Sequence, residues 1–242
     1  MTRDALWGGR ISLLQPRRGY RVNADALLLA GFARSFRAVD TTYDLGAGVG
    51  AISLALLASG ATERAVLVEL DRAQGALAAR NLEHNGFSGR ANVLIGSLAD
   101  EGLLPRGAAN LVVCNPPYTD PTRGRTAAGE RGVARSGELV VFARAGRAVL
   151  GARGRACFCY PASELVRALR TLEEAGLHPK VLRLVHAKAG ASARILLVAA
   201  QPGRAGGLVV RPPLVEWAAP GVPTEEAREA LHGHLPGRTM TA

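Results

Sequence analysis

Four consecutive residues, Asn115-Pro116-Pro117-Tyr118, carry the most specific chemical pattern in the chain. Proline fixes φ and has no N–H, so the Asn115 side-chain oxygen and the Pro116 carbonyl can face an outside donor without competition from nearby amides. Two acceptors gripping the hydrogens of a planar amine favour a pyramidal nitrogen with its lone pair released. Such a corner prepares an exocyclic amine, or a side-chain amide, as a nucleophile. Tyr118 adds an aromatic face on which a flipped base can stack, a contact worth about 1–3 kcal/mol. The plain alternative is a Pro-Pro turn beside an ordinary packed Tyr.

A second pattern lies upstream, in Asp44-Leu-Gly46-Ala-Gly48-Val-Gly50. Glycines at every second position let the backbone turn sharply and approach a ligand where a Cβ would collide. Read through Ala51 as G-x-G-x-x-A, the same residues satisfy a nicotinamide-type fingerprint, so the loop alone leaves two cofactor classes open. Asp44 would repel a pyrophosphate but suits an ammonium group, which points to an amino-acid-bearing cofactor. Glu69 follows Gly46 by 23 positions at the end of an apolar run, where a carboxylate can accept both hydroxyls of a ribose. A sulfonium that passes its methyl in line to an amine needs positioning and desolvation more than a strong base, so no catalytic His is required.

These residues need elements to hold them. The run TTYDL reads as a strand entering the glycine loop, and AISLALLAS continues as a helix. ERAVLVELD, RANVLIGS and ANLVVCNPPY read as further strands, with a helix over DRAQGALAARNLEHNG capped by Asp71 and closed by Gly86. Ahead of them Asn23 caps a leading helix, preceded by the basic stretch QPRRGYRV. Residues 119–137 form a long Arg/Gly-rich segment without hydrophobic period. A helix at 138–150, a strand at 154–160, a helix at 163–175 and a terminal hairpin of 180–186 with 194–200 complete the pattern. Alternating strands and helices predict a mostly parallel α/β sheet covered on both faces, with ligands beyond the carboxyl ends of the strands. Residues 1–202 are read as one domain, and the proline-rich residues 203–242 as a surface extension ending in a frayed helix.

DLGAGVG, VELD and NPPY, in this order on successive strands, resemble class I S-adenosylmethionine methyltransferases over roughly residues 40–200. QPRRGYRVNADALLLAGFA and LRLVHAKAGASARILLVAAQ extend the resemblance to the bacterial tRNA (adenosine-37-N6)-methyltransferase family that modifies a valine tRNA. The resemblance implies a Rossmann-like, seven-stranded sheet with a terminal antiparallel hairpin and S-adenosyl-L-methionine (SAM) as cofactor. It further implies that Asp44, Gly46, Gly48, Gly50 and Glu69 hold that cofactor, that Asn115 to Tyr118 hold the target adenine, and that Asp25 helps to close the site. The family commonly has an acidic residue after the third strand for the cofactor adenine. Here Gly96-Ser97-Leu98 offers Ser97 and Leu98 instead, with Asp100 nearby as a substitute acceptor.

Net charge is +10, and it is segregated. Residues 1–37 carry seven Arg against two acids and residues 123–155 eight against two, whereas residues 38–122 hold five Arg against nine acids. Basic flanks of this kind fit a polyanionic partner, a tRNA or other structured RNA, with Arg17, Arg18, Arg123, Arg125, Arg131 and Arg135 as phosphate contacts. A GC-biased genome accounts equally well for the arginine excess, since only two of the 30 basic residues are Lys. The longest near-continuous apolar run, Ala26 to Ala33, falls below the roughly 18 residues of a spanning helix, and a cytoplasmic protein is expected. Three Cys, none in C-x-x-C spacing, give neither a disulfide framework nor a zinc site. Oligomeric state is not readable.

Four competing functions stay open on these residues; one, methylation of adenine in DNA, ranks below RNA because no segment reads as a separate target-recognition domain. A glutamine N5-methyltransferase of release factors meets the same nucleophilicity problem, but such enzymes carry a substantial helical domain ahead of the loop and only 43 residues precede Asp44 here. A non-catalytic RNA-binding module would account for the basic flanks and for Ser97. A nicotinamide oxidoreductase would leave the Asn-Pro-Pro-Tyr corner without a task.

Overall fold

Burial on both faces explains why the strands read as near-continuous apolar runs. The computed structural model describes residues 1–17, 21–117 and 138–233. A hairpin of β1 (Thr2–Leu6) and β2 (Ile11–Gln15) precedes α1 (Ala24–Arg34), whose first turn is capped by the Asn23 side chain accepting from the Ala26 amide. Then follow β3 (Val39–Leu45), α2 (Ala51–Ala58), β4 (Thr62–Glu69), α3 (Arg72–His84), β5 (Ala91–Ile95) and β6 (Ala109–Cys114). After residue 137 come α4 (Glu138–Val149), β7 (Leu150–Pro161), α5 (Leu165–Glu174), β8 (His178–Lys188) and β9 (Ala193–Gln201). The chain closes with β10 (Val209–Val210), β11 (Leu214–Ala219), β12 (Val222–Pro223) and α6 (Glu225–His232).

The sheet corrects the expected strand count. It has ten strands, in the order β12-β11-β8-β9-β7-β6-β3-β4-β5 with β10 also paired to β8, and β1–β2 forms a separate antiparallel pair. Seven of the ten are the expected strands. The other three arise because residues 209–223 lie parallel along β8 as β10 and β11 and then fold back as β12. These are short runs among prolines, and β10 and β12 have only two residues each, too few to show a period. The expected hairpin forms from β8 and β9, but β9 inserts antiparallel between β7 and β8, so it lies inside the sheet. The β1–β2 hairpin has no counterpart in the sequence reading, because Gly8 and Gly9 join two five-residue strands that alternate too briefly to stand out.

Strand periodicity sorts the interior into two cores. Leu111, Val113, Cys157, Cys159, Leu197 and Ala199 turn toward α1, α2, α3 and α6. Their neighbours Val112, Cys114, Phe158, Val198 and Ala200 turn toward α4 and α5. Cys157 and Cys159 thus share one face as packing residues, and burial pushes the Cys157 thiol up to about 12. The layout leaves the carboxyl ends of β3, β4, β5 and β6 converging on one edge. No helix among the described residues is long and apolar enough to cross a membrane.

Candidate active site

A cavity of about 530 Å³ opens at that edge, walled by the glycine loop, the ends of β4 and β5, the Asn115 corner, α1 and α4. The loop between β3 and α2 is fixed by the chain itself. The Gly46 and Ala47 amides donate to the Val68 carbonyl at 2.8 and 3.0 Å, and the Gly50 amide to Ala47 at 2.9 Å. The Gly48 amide donates to Glu69 Oε2 at 2.7 Å, while Glu69 Oε1 takes the Asp71 amide at 2.9 Å. Gly46 and Gly50 have φ of +71° and +86°, and a Cβ would stand 2.9 Å from Phe142 Cε1 and 2.8 Å from Leu67 Cδ2 respectively. Both positions therefore exclude side chains by conformation and by space.

Asp44 lies one layer below the lining, fully buried at the end of β3. Its Oδ2 accepts from the Ser53 amide and hydroxyl at 3.2 and 2.8 Å, and its Oδ1 has no partner. Burial raises its carboxyl to about 7, with the Glu69 charge adding to the rise and the Ser53 hydrogen bonds opposing it. A carboxyl at that value stands ready to ionise beside a cation.

The opposite wall has a different character. Asn115, 9% exposed at the end of β6, lines the cavity together with Pro117, and its Oδ1 has no hydrogen-bond partner. An unsatisfied buried acceptor costs about 1–3 kcal/mol, which a ligand donor would recover. Pro116 and Pro117 bring no N–H that might occupy it. The corner accordingly presents an acceptor to a donor from outside.

Seven of the residues singled out from sequence meet here. Gly46, Gly48, Glu69, Ser97, Leu98, Asn115 and Pro117 all line the cavity. Ser97 Oγ accepts from the Ala99 amide at 3.2 Å, whereas the Asp100 carboxylate, off the lining, takes the Gly102 amide at 3.0 Å. Gly50 and Asp44 back the lining. Asp25 stands elsewhere, because its carboxylate is engaged by Arg194, which also grips Glu216 with two nitrogens. This cluster of a half-buried Arg194 and two buried carboxylates ties α1 to β9 and β11, while the neighbouring residues Val22 and Ala26 reach the cavity in place of Asp25. Arg17 is exposed, with its Nε on the Met1 carbonyl at 3.2 Å. Tyr118, Arg18, Arg123, Arg125, Arg131 and Arg135 lie outside the described residues.

Two polar residues were missed. Gln74 lines the cavity from the first turn of α3, and its Oε1 is buried without a partner. Its signal is positional only, three residues after the Asp71 cap and on the helix that follows Glu69. Asn81, fully buried, donates to the Val49 carbonyl of the glycine loop at 2.9 Å. A buried Asn in an amphipathic helix is visible in sequence only as a polar residue on the apolar face.

These features fit an amino-acid-bearing nucleoside. Glu69 has used one lone pair on each oxygen and retains others for a ribose diol. The glycines leave room along the loop, and the Asp44 carboxyl lies below it. The methyltransferase small domain family matches residues 23–147 of the chain. Ribosomal protein L11 methyltransferase of Pelotomaculum thermopropionicum is 39% identical over 75 residues, which are 31% of this chain and only 23% of that relative. Among solved structures, a predicted O-methyltransferase of Agrobacterium tumefaciens superimposes with a TM-score of 0.71 at 23% identity, over 86% of this chain and 96% of that one. A geranyl diphosphate C-methyltransferase of Streptomyces coelicolor, solved with S-adenosyl-L-homocysteine, gives 0.53 at 15% identity, over 72% and 76%. At these identities the superpositions speak for the fold.

Proposed function

This chain belongs to the methyltransferase small domain family with SAM as its cofactor, and from that premise we propose that it methylates the exocyclic N6 amine of an adenine in RNA, with adenosine 37 of a tRNA as the best match. The observation that carries the reading is the unpartnered, buried Asn115 Oδ1 on the cavity wall, followed by two residues that lack N–H donors. The bound cofactor supplies an electrophilic methyl on a sulfonium. The chain's own residues do the rest. Asn115 Oδ1 and the Pro116 carbonyl hold the two amine hydrogens, which frees the nitrogen lone pair and fixes its direction. The apolar walls, Val22, Ala26, Ile52 and Phe142 among them, exclude water from the transfer. Tyr118 serves as the stacking face, and Arg17 and Arg18 with Arg123, Arg125, Arg131 and Arg135 meet phosphates.

A further feature favours a nucleic acid. Trp217 is 42% exposed at the carboxyl end of β11, in register with Lys188 of β8, on the sheet edge where the cavity opens. Four strand spacings separate β11 from β6, or roughly 19 Å, so only an extended substrate reaches both. Such an enzyme would work in the cytoplasm, where tRNA is processed.

The test uses labelled SAM and total tRNA from a strain that lacks the enzyme, followed by mass spectrometry of nucleosides. N6-methyladenosine at one tRNA position is expected. Label in protein, at a glutamine amide, would transfer the same corner chemistry to a release-factor substrate and defeat the RNA reading.

A further inference from the structure

Asn81 and Asn85 stand four residues apart at the end of α3, and both reach the same edge of β2. Asn81 Oδ1 accepts from the Leu14 amide at 2.7 Å and its Nδ2 donates to the Leu14 carbonyl at 3.0 Å. Asn85 repeats the pattern on Ser12, accepting at 2.9 Å and donating at 2.8 Å. The match is geometric: four helical residues advance about 6 Å and two strand residues about 6.7 Å. The helix thereby acts as a surrogate strand for the edge of β2 that faces away from β1.

The two asparagines differ in their second donor hydrogen. Asn85 gives it to the Asn81 carbonyl at 2.7 Å, within its own helix. Asn81 gives it to the Val49 carbonyl at 2.9 Å, in the wall of the cavity. The N–H of that same Val49–Gly50 peptide goes to Ala47 at 2.9 Å, so the unit is held at both ends just where the chain turns left-handed into α2. Both hydrogens of the Asn81 amide are spent, and its side chain is closed off from solvent. A buried polar group that is fully satisfied fixes one arrangement of its neighbours.

We propose that Asn81 is a positioning residue for the cofactor loop, through which the N-terminal hairpin braces the wall of the cavity. Hairpin and loop then share one amide, so ordering either favours the other. The inference rests on cofactor binding and is independent of the methyl acceptor.

Calorimetry of SAM binding to full-length Asn81→Asp and Asn85→Asp tests it. In Asn81→Asp a carboxylate oxygen replaces both donors and faces two carbonyls, and the SAM Kd is expected to rise roughly 10- to 100-fold. Asn85→Asp disturbs the hairpin equally but leaves the Val49 bond, so it should lower Tm with the Kd kept within about threefold. Equal Kd losses in the two variants, or an Asn81→Asp protein that is less stable but binds SAM normally, would overturn the proposal. In a transfer assay Asn81→Asp should raise the KM for SAM and keep kcat at saturation; the reverse split counts against it. Should Asn81→Asp not fold, hydrogen exchange on the wild-type chain decides. SAM should slow exchange at Leu14 together with Gly50, and protection at Gly50 with Leu14 unchanged would refute the brace.

Discussion

The glycine loop and the Asn115 corner face each other across one cavity, yet they are held in opposite ways. In the loop, the amides of Gly46, Ala47, Gly48 and Gly50 all donate to acceptors of the chain itself, and Asn81 takes the Val49 carbonyl. At the corner, the Asn115 oxygen is buried with nothing to accept. The difference matches two kinds of ligand. A cofactor that binds in every cycle is met by a wall whose backbone is already tied down, which lowers the ordering cost of association. The amine of the proposed substrate would be met by an acceptor left unsatisfied until it arrives, so that its hydrogen bond forms only in the productive complex.

The largest effect should come from breaking the corner. Asn115→Ala removes the acceptor proposed to orient the amine, and kcat is expected to fall about 10²–10³-fold, the scale of losing one preorganised polar contact to the reacting centre. SAM affinity, measured by calorimetry, should change far less. If SAM affinity fell along with kcat, the corner would belong to the cofactor half and the contrast would dissolve. Breaking the loop side gives the next effect. In Glu69→Gln one arm must present an NH2 group to either the Gly48 or the Asp71 amide, both of which are donors. Loss of a charged acceptor is worth about 1.5–3 kcal/mol, so a SAM Kd about 10–150-fold weaker is expected, with kcat at saturating SAM little altered.

The two halves were also unequally legible. The loop could be read from sequence because backbone geometry there demands a residue type. At Gly46 and Gly50 a positive φ and a crowded Cβ position leave glycine as the solution, and Glu69 ends a strand whose apolar run is plain. The Asn-Pro-Pro corner was legible for a similar reason, since proline has few backbone conformations. Gln74 and Asn81 were not, because a helix accepts any good helix former and its polar residues gain a role only from what packs opposite. Asn81 gains its role from β2, itself too short to recognise. Asp25 shows the converse: the family resemblance implied that it helps to close the site, but its carboxylate meets Arg194, 169 residues away, and no local pattern pairs them. The three additional strands escaped for the same reason as β2.

A smaller effect sharpens the electrostatic side of the loop. Asp44 titrates near 7 because burial disfavours its charge. Its folded value exceeds the unfolded one near 4, so the stability linked to this group is full below about pH 4 and is lost as pH rises through about 7. A cationic cofactor favours the ionised carboxylate, and binding below pH 7 must release its proton. SAM affinity should therefore improve by up to about tenfold between pH 6 and 8. Calorimetry in buffers of different ionisation enthalpy would show the proton release. Asp44→Asn should flatten the profile, and a profile unchanged in that variant would assign the dependence to another group.

The smallest effect tests whether a second unsatisfied oxygen, besides Asp44 Oδ1, serves the cofactor half. Gln74 Oε1 is buried without a partner beside Gly48, where an added Cβ would stand 3.9 Å from it. If it accepts from a ligand hydroxyl or amine, Gln74→Leu should weaken SAM by about 2- to 12-fold, the worth of one neutral hydrogen bond. The same substitution removes an unsatisfied acceptor from the unliganded protein, at a cost there of about 1–3 kcal/mol. Relief of even 1 kcal/mol would raise Tm by about 2–4 °C in a chain of this size. Weaker binding joined to higher stability is a pair of opposite signs that a packing role would not produce, since trimming a packed residue lowers both. Calorimetry and thermal unfolding of one variant thus decide whether the Gln74 oxygen is an acceptor that the loop side leaves for the cofactor to fill.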